Sequence, residues 1–328
     1  MTAPVVGESE PVLALRAIGL GDALTGVPAL RGLRRRFAPR PVLLAAPAAL
    51  GRWMTDLGVV DGYVPTRDLD DQPPGLALGP HDAVDLHGNG PLSRDLLTAA
   101  RPGQVLSFAP PDPAAEVPQT WVEWTPDEHE VHRWIRLVGA WGAEASVDDL
   151  RLLPRPDGPH RPKPATGRVI VHPGAAYGSR RWPVDRFAAV ARELAARGHD
   201  VVITGGPTER SLCAQVAELA DLPATASTAG TLELPQLAGL VRDAALVVCG
   251  DTGIAHLATA LAVPSVLLFG PVAPSAWGPA IDADLHTVLW HGDGTGDPHG
   301  AAPDPHLLQV TVDEVLTASQ HLAAPVRR

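Results

Sequence analysis

Asp22 stands where an apolar run, "PVLALRAI", gives way to two glycines, Gly19 and Gly21, and a helical pattern begins at once. A carboxylate at such a switch can cap the helix, belong to a dinucleotide site, or take a proton from an attacking hydroxyl. The dinucleotide fingerprint G-x-G-x-x-G fails here. Its third glycine is replaced by Leu24, and the next apolar run, "PVLLAA", ends without the acidic residue that would hold a ribose. On local grounds the cap is the simpler reading, and a base needs partners elsewhere in the chain.

Three further stretches carry polar groups at the ends of apolar runs. In "VVCGDTGIAHLATALAVPSVLLFGP" (247–271), Asp251 or Thr252 caps a helix, Gly253 lets a ligand approach the backbone, and His256 lies one turn on, on the face of Thr252. The free N–H groups and partial positive charge of such a helix start suit a phosphate. "VHPGAAYGSRRWP" (171–183) brings His172, Gly174, Arg180 and Arg181, with forked guanidinium donors for a diphosphate. "TGGPTER" (204–210) repeats the strand, glycine and helix-start pattern, with Gly205 at the turn and Glu209 placed to meet a ribose hydroxyl.

Other motifs carry less. "DLD" (68–70) and "DAD" (282–284) match a metal-holding D-x-D but sit in loops of an acid-rich chain, and "HEVH" (129–132) lacks the HExxH spacing of a zinc site. "WHGDGTGDPHG" (290–300) has no fixed ligand spacing, and no metal site is expected. Arg31, Arg34, Arg35, Arg36 and Arg40 cluster where the first helix should end. They read as a solvated face complementing the helix dipole, or as a patch for an anionic acceptor or membrane surface.

Composition narrows the field. The net charge of −11 argues against nucleic acid as a partner, since that binding rests on Lys and Arg neutralising phosphates. Lys163 is the sole lysine, so neither a P-loop nor a Schiff base is available. Cys213 and Cys249 are far apart without CxxC spacing, which speaks against a disulfide framework and for a reducing compartment. The opening "MTAPVVGESE" has no basic stretch followed by an apolar one, and no apolar run reaches the roughly 18 residues of a membrane span. A cytoplasmic protein is expected, at most peripheral at the inner face of the membrane.

The elements that must position these groups alternate. Strand-like runs at 12–18, 41–46, 83–88 and 105–108 are interleaved with helical stretches at about 22–36, 48–57, 91–99 and 129–141. Beyond a proline-rich stretch, strands at 168–174, 200–206, 244–250 and 264–270 alternate with helices at about 184–197, 208–220, 233–243 and 252–261. The pattern predicts an α/β protein with two Rossmann-like domains facing across a cleft, since ligands gather outside the carboxyl ends of parallel strands. The first domain would cover 1–155, a linker 156–167 and the second domain 168–310. A C-terminal helix within 311–328 would pack back on the first domain.

Taken together and in this order, "GDALTGVPALRGL", "HPGAAYGSRRWP" and "GDTGIAHLATALAVPSVLLFGP" resemble the heptosyltransferase family (glycosyltransferase family 9), over about residues 12 to 279. The resemblance implies a GT-B fold, an acceptor-binding first domain, a donor-binding second domain, and metal-independent transfer with inversion. It implies that Asp22 is the general base and that Asp251, Thr252, Gly253 and His256 hold the sugar and diphosphate. Glu209 would hold the ribose, and Gly230 with Thr231 the nucleotide base. His172, Gly174, Arg180 and Gly205 complete the donor side, with Arg180 where the family usually has lysine. Gly19, Gly21, His87 and Asn89 fall on the acceptor side. The implied donor is a nucleotide sugar, ADP-linked, and the acceptor a saccharide, glycolipid or natural product. Two other readings share this architecture: a nucleotide-sugar 2-epimerase, and a non-catalytic nucleotide-sugar-binding protein.

Overall fold

The computed structural model describes residues 10–71, 78–110, 118–153 and 167–322. The chain divides into two compact units, Met1–Leu150 and Arg151–Arg328. The linker expected over 156–167 lies outside the described residues except for Gly167.

The first unit contains β1 (Val12–Leu15), α1 (Leu20–Thr25), α2 (Val27–Phe37), β2 (Val42–Ala46), α3 (Ala48–Asp56) and β3 (Gly62–Pro65). It continues with β4 (Asp82–Asp85), α4 (Pro91–Ala99), β5 (Val105–Phe108), β6 (Gln119–Val122) and α5 (Glu130–Gly139). Its parallel sheet runs β3-β2-β1-β4-β5-β6, with Val12 opposite both Val42 and Asp82. Every residue of β1, β2 and β5 is buried, as expected of parallel strands covered on both faces. The single helix expected over 22–36 is two helices. Gly26 ends α1 and starts α2, and Pro28 in the first turn of α2 has no N–H to continue the earlier helix.

The second unit contains β7 (Arg168–His172), α6 (Val184–Ala196), β8 (Asp200–Ile203), α7 (Arg210–Leu219), α8 (Leu234–Arg242) and β9 (Leu246–Gly250). Then come α9 (Gly253–Ala260), β10 (Ser265–Leu268), α10 (Pro274–Trp277), β11 (His286–Leu289) and α11 (Val312–Leu322). Its sheet, also parallel, runs β11-β10-β9-β7-β8. α11 lies against α6, β10 and β11 of its own unit, and Val315 and Ala318 join a core that holds Trp182, Phe187 and Val248. Trp182 fixes the approach to α11 by donating from Nε1 to the Val310 carbonyl at 3.0 Å.

Each sheet is a Rossmann-like sheet in which the strand order reverses once. In the first unit the reversal lies between β1 and β4, and in the second between β7 and β9. The chain leaves these neighbouring strands in opposite directions, which opens a crevice at their carboxyl ends.

Candidate functional site

In the first unit the acceptor-side residues sit at the carboxyl ends of β1 and β4, the two strands that flank the reversal. Gly19 is the N-cap of α1, in extended backbone, so the cap reading of Asp22 is corrected: Asp22 is the third residue of the helix. The chain turns helical three residues sooner than a cap at Asp22 requires, and the half-buried carboxylate lies in the first turn, where the helix dipole favours it. Gly21 precedes it inside the same turn. After β4, His87 donates its backbone N–H to Asp85 Oδ1 at 2.9 Å, and Ser93 donates its hydroxyl to Oδ2 at 2.7 Å. Burial pushes the Asp85 carboxyl up to about 6. Burial also lowers the pKa of His87, as does the Arg16 cation, while the Asp22 carboxylate acts the other way, so both charges bear on the imidazole. Asn89 is engaged by Arg94, whose Nη1 donates at 3.2 Å to its carbonyl and to Oδ1.

Sequence reasoning missed Arg16 and Asp85. Arg16, fully buried, donates from Nε to the Asp22 carbonyl at 2.6 Å, from Nη2 to Thr25 Oγ1 at 2.9 Å, and from Nη1 to the Leu86 carbonyl. The available signal was a charge inside each apolar run, "VLALRAI" and "AVDLHG".

In the second unit the donor-side residues gather at the ends of β7, β8 and β9. His172 closes β7 and shares a hydrogen bond of 2.9 Å with Thr204 Oγ1 at the end of β8. Burial lowers its pKa, against the pull of Glu209. The Glu209 carboxylate accepts the Gly206 N–H at 2.7 Å and lies so close over Gly174 that any side chain there would strike it. At Gly205 a Cβ would come within 2.6 Å of Cys213 Sγ. Gly230 adopts φ +66°, a conformation suited to glycine, and donates to the Gly205 carbonyl at 2.9 Å. Thr231 follows it, exposed.

Around the reversal, Gly250 ends β9, Asp251 is buried, Thr252 is the N-cap of α9, and Gly253 is its first residue. Arg180 Nη1 stands 3.5 Å from Asp251 Oδ2, and its Nε donates to the Pro298 carbonyl at 3.3 Å. Arg181 turns away from this pair and donates to the Ala175 carbonyl at 2.9 Å. His256 lies one turn into α9 with its ring edge-on to Trp277, centroids 6.0 Å apart. The glycine loop, the second strand turn and the start of α9 therefore converge, and their donors and carboxylates suit a phosphorylated, hydroxylated ligand.

The weaker motifs have structural roles. Asp68 accepts the Asp70 amide at 3.0 Å, and Asp282 pairs with Arg151 at 2.7 Å. His129 is the N-cap of α5, and its ring accepts from the Val131 amide. Among the described residues no three His, Cys, Asp or Glu side chains lie together as a metal site. No described helix is long and apolar enough to cross a membrane. The arginines at the end of α2 tie it to neighbouring loops: Arg34 to Asp61, Arg35 to Asp149, Arg36 to the Trp141 carbonyl and Arg40 to Asp82. Arg31, Arg34, Arg35 and Arg40 line a cavity of about 580 Å³ beside Pro41 and Asp61, at the amino ends of the strands and away from the candidate site.

Residues 122–293, just over half of the chain, match the model of glycosyltransferase family 9 (heptosyltransferase). A lipopolysaccharide heptosyltransferase 3 of Escherichia coli is 32% identical over 127 residues, which is 38% of this chain and 37% of that protein. The match thus spans little more than a third of that relative's length. Among solved structures, a family 9 glycosyl transferase from Veillonella parvula superposes with a TM-score of 0.76 at 18% identity, over 95% of this chain and 97% of the other. The E. coli heptosyltransferase WaaC with ADP gives a TM-score of 0.69 at 18% identity, over 95% and 100%. These two structures share the fold.

Proposed function

The chain belongs to glycosyltransferase family 9, the heptosyltransferase family, and from that premise we propose that it moves a sugar, a heptose from ADP-heptose or a related donor, onto an acceptor hydroxyl. The observation that carries this reading is the convergence of Arg180, Asp251 and the start of α9 at the strand reversal of the second unit. That arrangement suits a diphosphate. The solved E. coli relative binds ADP, which supports the same choice of nucleotide here.

In this mechanism Asp22 accepts the proton of the acceptor hydroxyl as the oxygen attacks the anomeric carbon opposite the diphosphate, so configuration inverts. Gly19 and Gly21 leave room for the acceptor at the backbone, with His87 and Asn89 on the neighbouring loop. The N–H groups of Gly253 and the residues after it, with Arg180, stabilise the charge that gathers on the leaving diphosphate. These donors take the place of a metal ion. Glu209 meets the ribose, Thr252 and His256 the sugar and phosphates, and Gly230 and Thr231 the base, while His172, Gly174 and Gly205 shape the walls. The acceptor is a saccharide, glycolipid or natural product, met in the cytoplasm or at the inner face of the membrane.

The test pairs a donor screen with one variant. Calorimetry against ADP, UDP, GDP and dTDP should select ADP, and transfer from ADP-heptose should persist in EDTA. Asp22→Ala should lower turnover by at least about 100-fold while ADP affinity stays within about twofold. A variant that keeps a tenth or so of wild-type turnover would falsify the base. Consumption of the nucleotide sugar without any acceptor would instead favour epimerase chemistry.

A further inference from the structure

Arg16 is 1% exposed, and a buried guanidinium is costly unless its donors and charge are met. All three of its nitrogens donate: one to the first turn of α1 at the Asp22 carbonyl, one to Thr25 in the same helix, and one across the sheet reversal to Leu86. Thr25 closes the arrangement by donating its own hydroxyl to the Asp22 carbonyl at 2.8 Å. The charge is balanced by Glu130 at 3.6 Å, and the Trp134 ring lies under the guanidinium at 4.5 Å. Glu130 is itself held by Trp134 Nε1 at 2.9 Å and by Arg133. Asp22 and Asp85 also help to keep Arg16 charged against the effect of burial.

The fold reserves the space. A Cβ on Gly26 would lie 2.8 Å from Arg16 Cδ and 2.9 Å from Nε, although the backbone of Gly26, at φ −82°, suits any residue. Glycine is therefore required there for room and not for conformation.

We propose that Arg16 is a positioning residue for sugar transfer, a buried clamp that fixes the main chain of Asp22 to the loop after β4 and so sets the base against the acceptor side. The proposal rests on the reading of Asp22 as the base. A lysine keeps the charge but cannot reach three acceptors in a plane.

Three variants test it: Arg16→Met, Arg16→Lys and Thr25→Val, the last leaving the buried ion pair intact should Arg16→Met fail to fold. Each is read by steady-state transfer, ADP calorimetry and hydrogen exchange of peptides over 17–26 and 84–90. Arg16→Met should lower kcat by about 100-fold, as a displaced base does, with ADP affinity within about twofold of wild type. Exchange should rise at least about tenfold in both peptides, since the clamp joins them. Arg16→Lys should recover part of kcat, and Thr25→Val should lose about tenfold. Unchanged kcat and exchange overturn the clamp, and so does a loss of kcat matched by an equal loss of ADP affinity. If wild-type protein transfers no sugar from any donor, the base reading fails instead. Exchange then still decides whether Arg16 joins the two segments.

Discussion

At the scale of single residues, the candidate site holds a carboxyl that the mechanism does not use. Asp85 is buried at the end of β4, and its pKa rises from 3.8 to about 6 because desolvation outweighs the hydrogen bonds from Ser93 and the His87 amide. The folded state thus binds a proton that the unfolded chain has released, so stability falls as pH rises from about 4 to 6 and stays reduced above that. The penalty is on the order of 3 kcal/mol. Asp85→Asn keeps the shape, an oxygen to accept the His87 amide, and a group to meet Ser93, without the buried charge. Its Tm should exceed that of wild type by at least about 5 °C at pH 8, with the difference shrinking towards pH 4. Thermal unfolding at both pH values measures this, and a pH-independent difference contradicts the assignment.

At the scale of elements, the donor loop and β9 meet without room for a methyl group. A Cβ on Gly250 would lie 2.9 Å from the Arg180 carbonyl, and backbone there can yield only by moving the loop away from Asp251. Gly250→Ala should weaken ADP binding about tenfold by calorimetry, whereas Gly239→Ala in α8, with open space around it, should leave it unchanged. The same closeness explains what could be read from the chain. Interior strands such as β1, β2 and β9 are continuous apolar runs, so the sheets were legible, and β1 and β9 lead into the glycine and polar residues that marked the candidate loops. The strands missed were β3, β6 and β11, which carry Gly, Pro, Gln, Thr or His because a sheet edge is only partly covered. The need for glycine at position 26 was hidden because its cause is a side chain ten residues earlier. The roles of Arg16 and Asp85 were hidden likewise, since their partners lie across the reversal or in α4.

At the scale of the whole molecule, the division into two units separates the two tasks proposed for the site. His172, Arg180, Glu209, Asp251 and His256 all belong to Arg151–Arg328, which has its own sheet and a core that runs from Val169 to Ala318. Asp22 and its clamp belong to Met1–Leu150. A unit with its own core can fold alone, and nucleotide affinity should travel with it. A fragment of residues 151–328 should unfold cooperatively and bind ADP with a Kd within about tenfold of the full chain, the cost of a looser donor loop being about 1.4 kcal/mol. It should transfer no sugar, because Asp22, the proposed base, is absent. Calorimetry on the folded fragment decides the matter. Cooperative unfolding with no ADP binding means that the first unit supplies part of the nucleotide site.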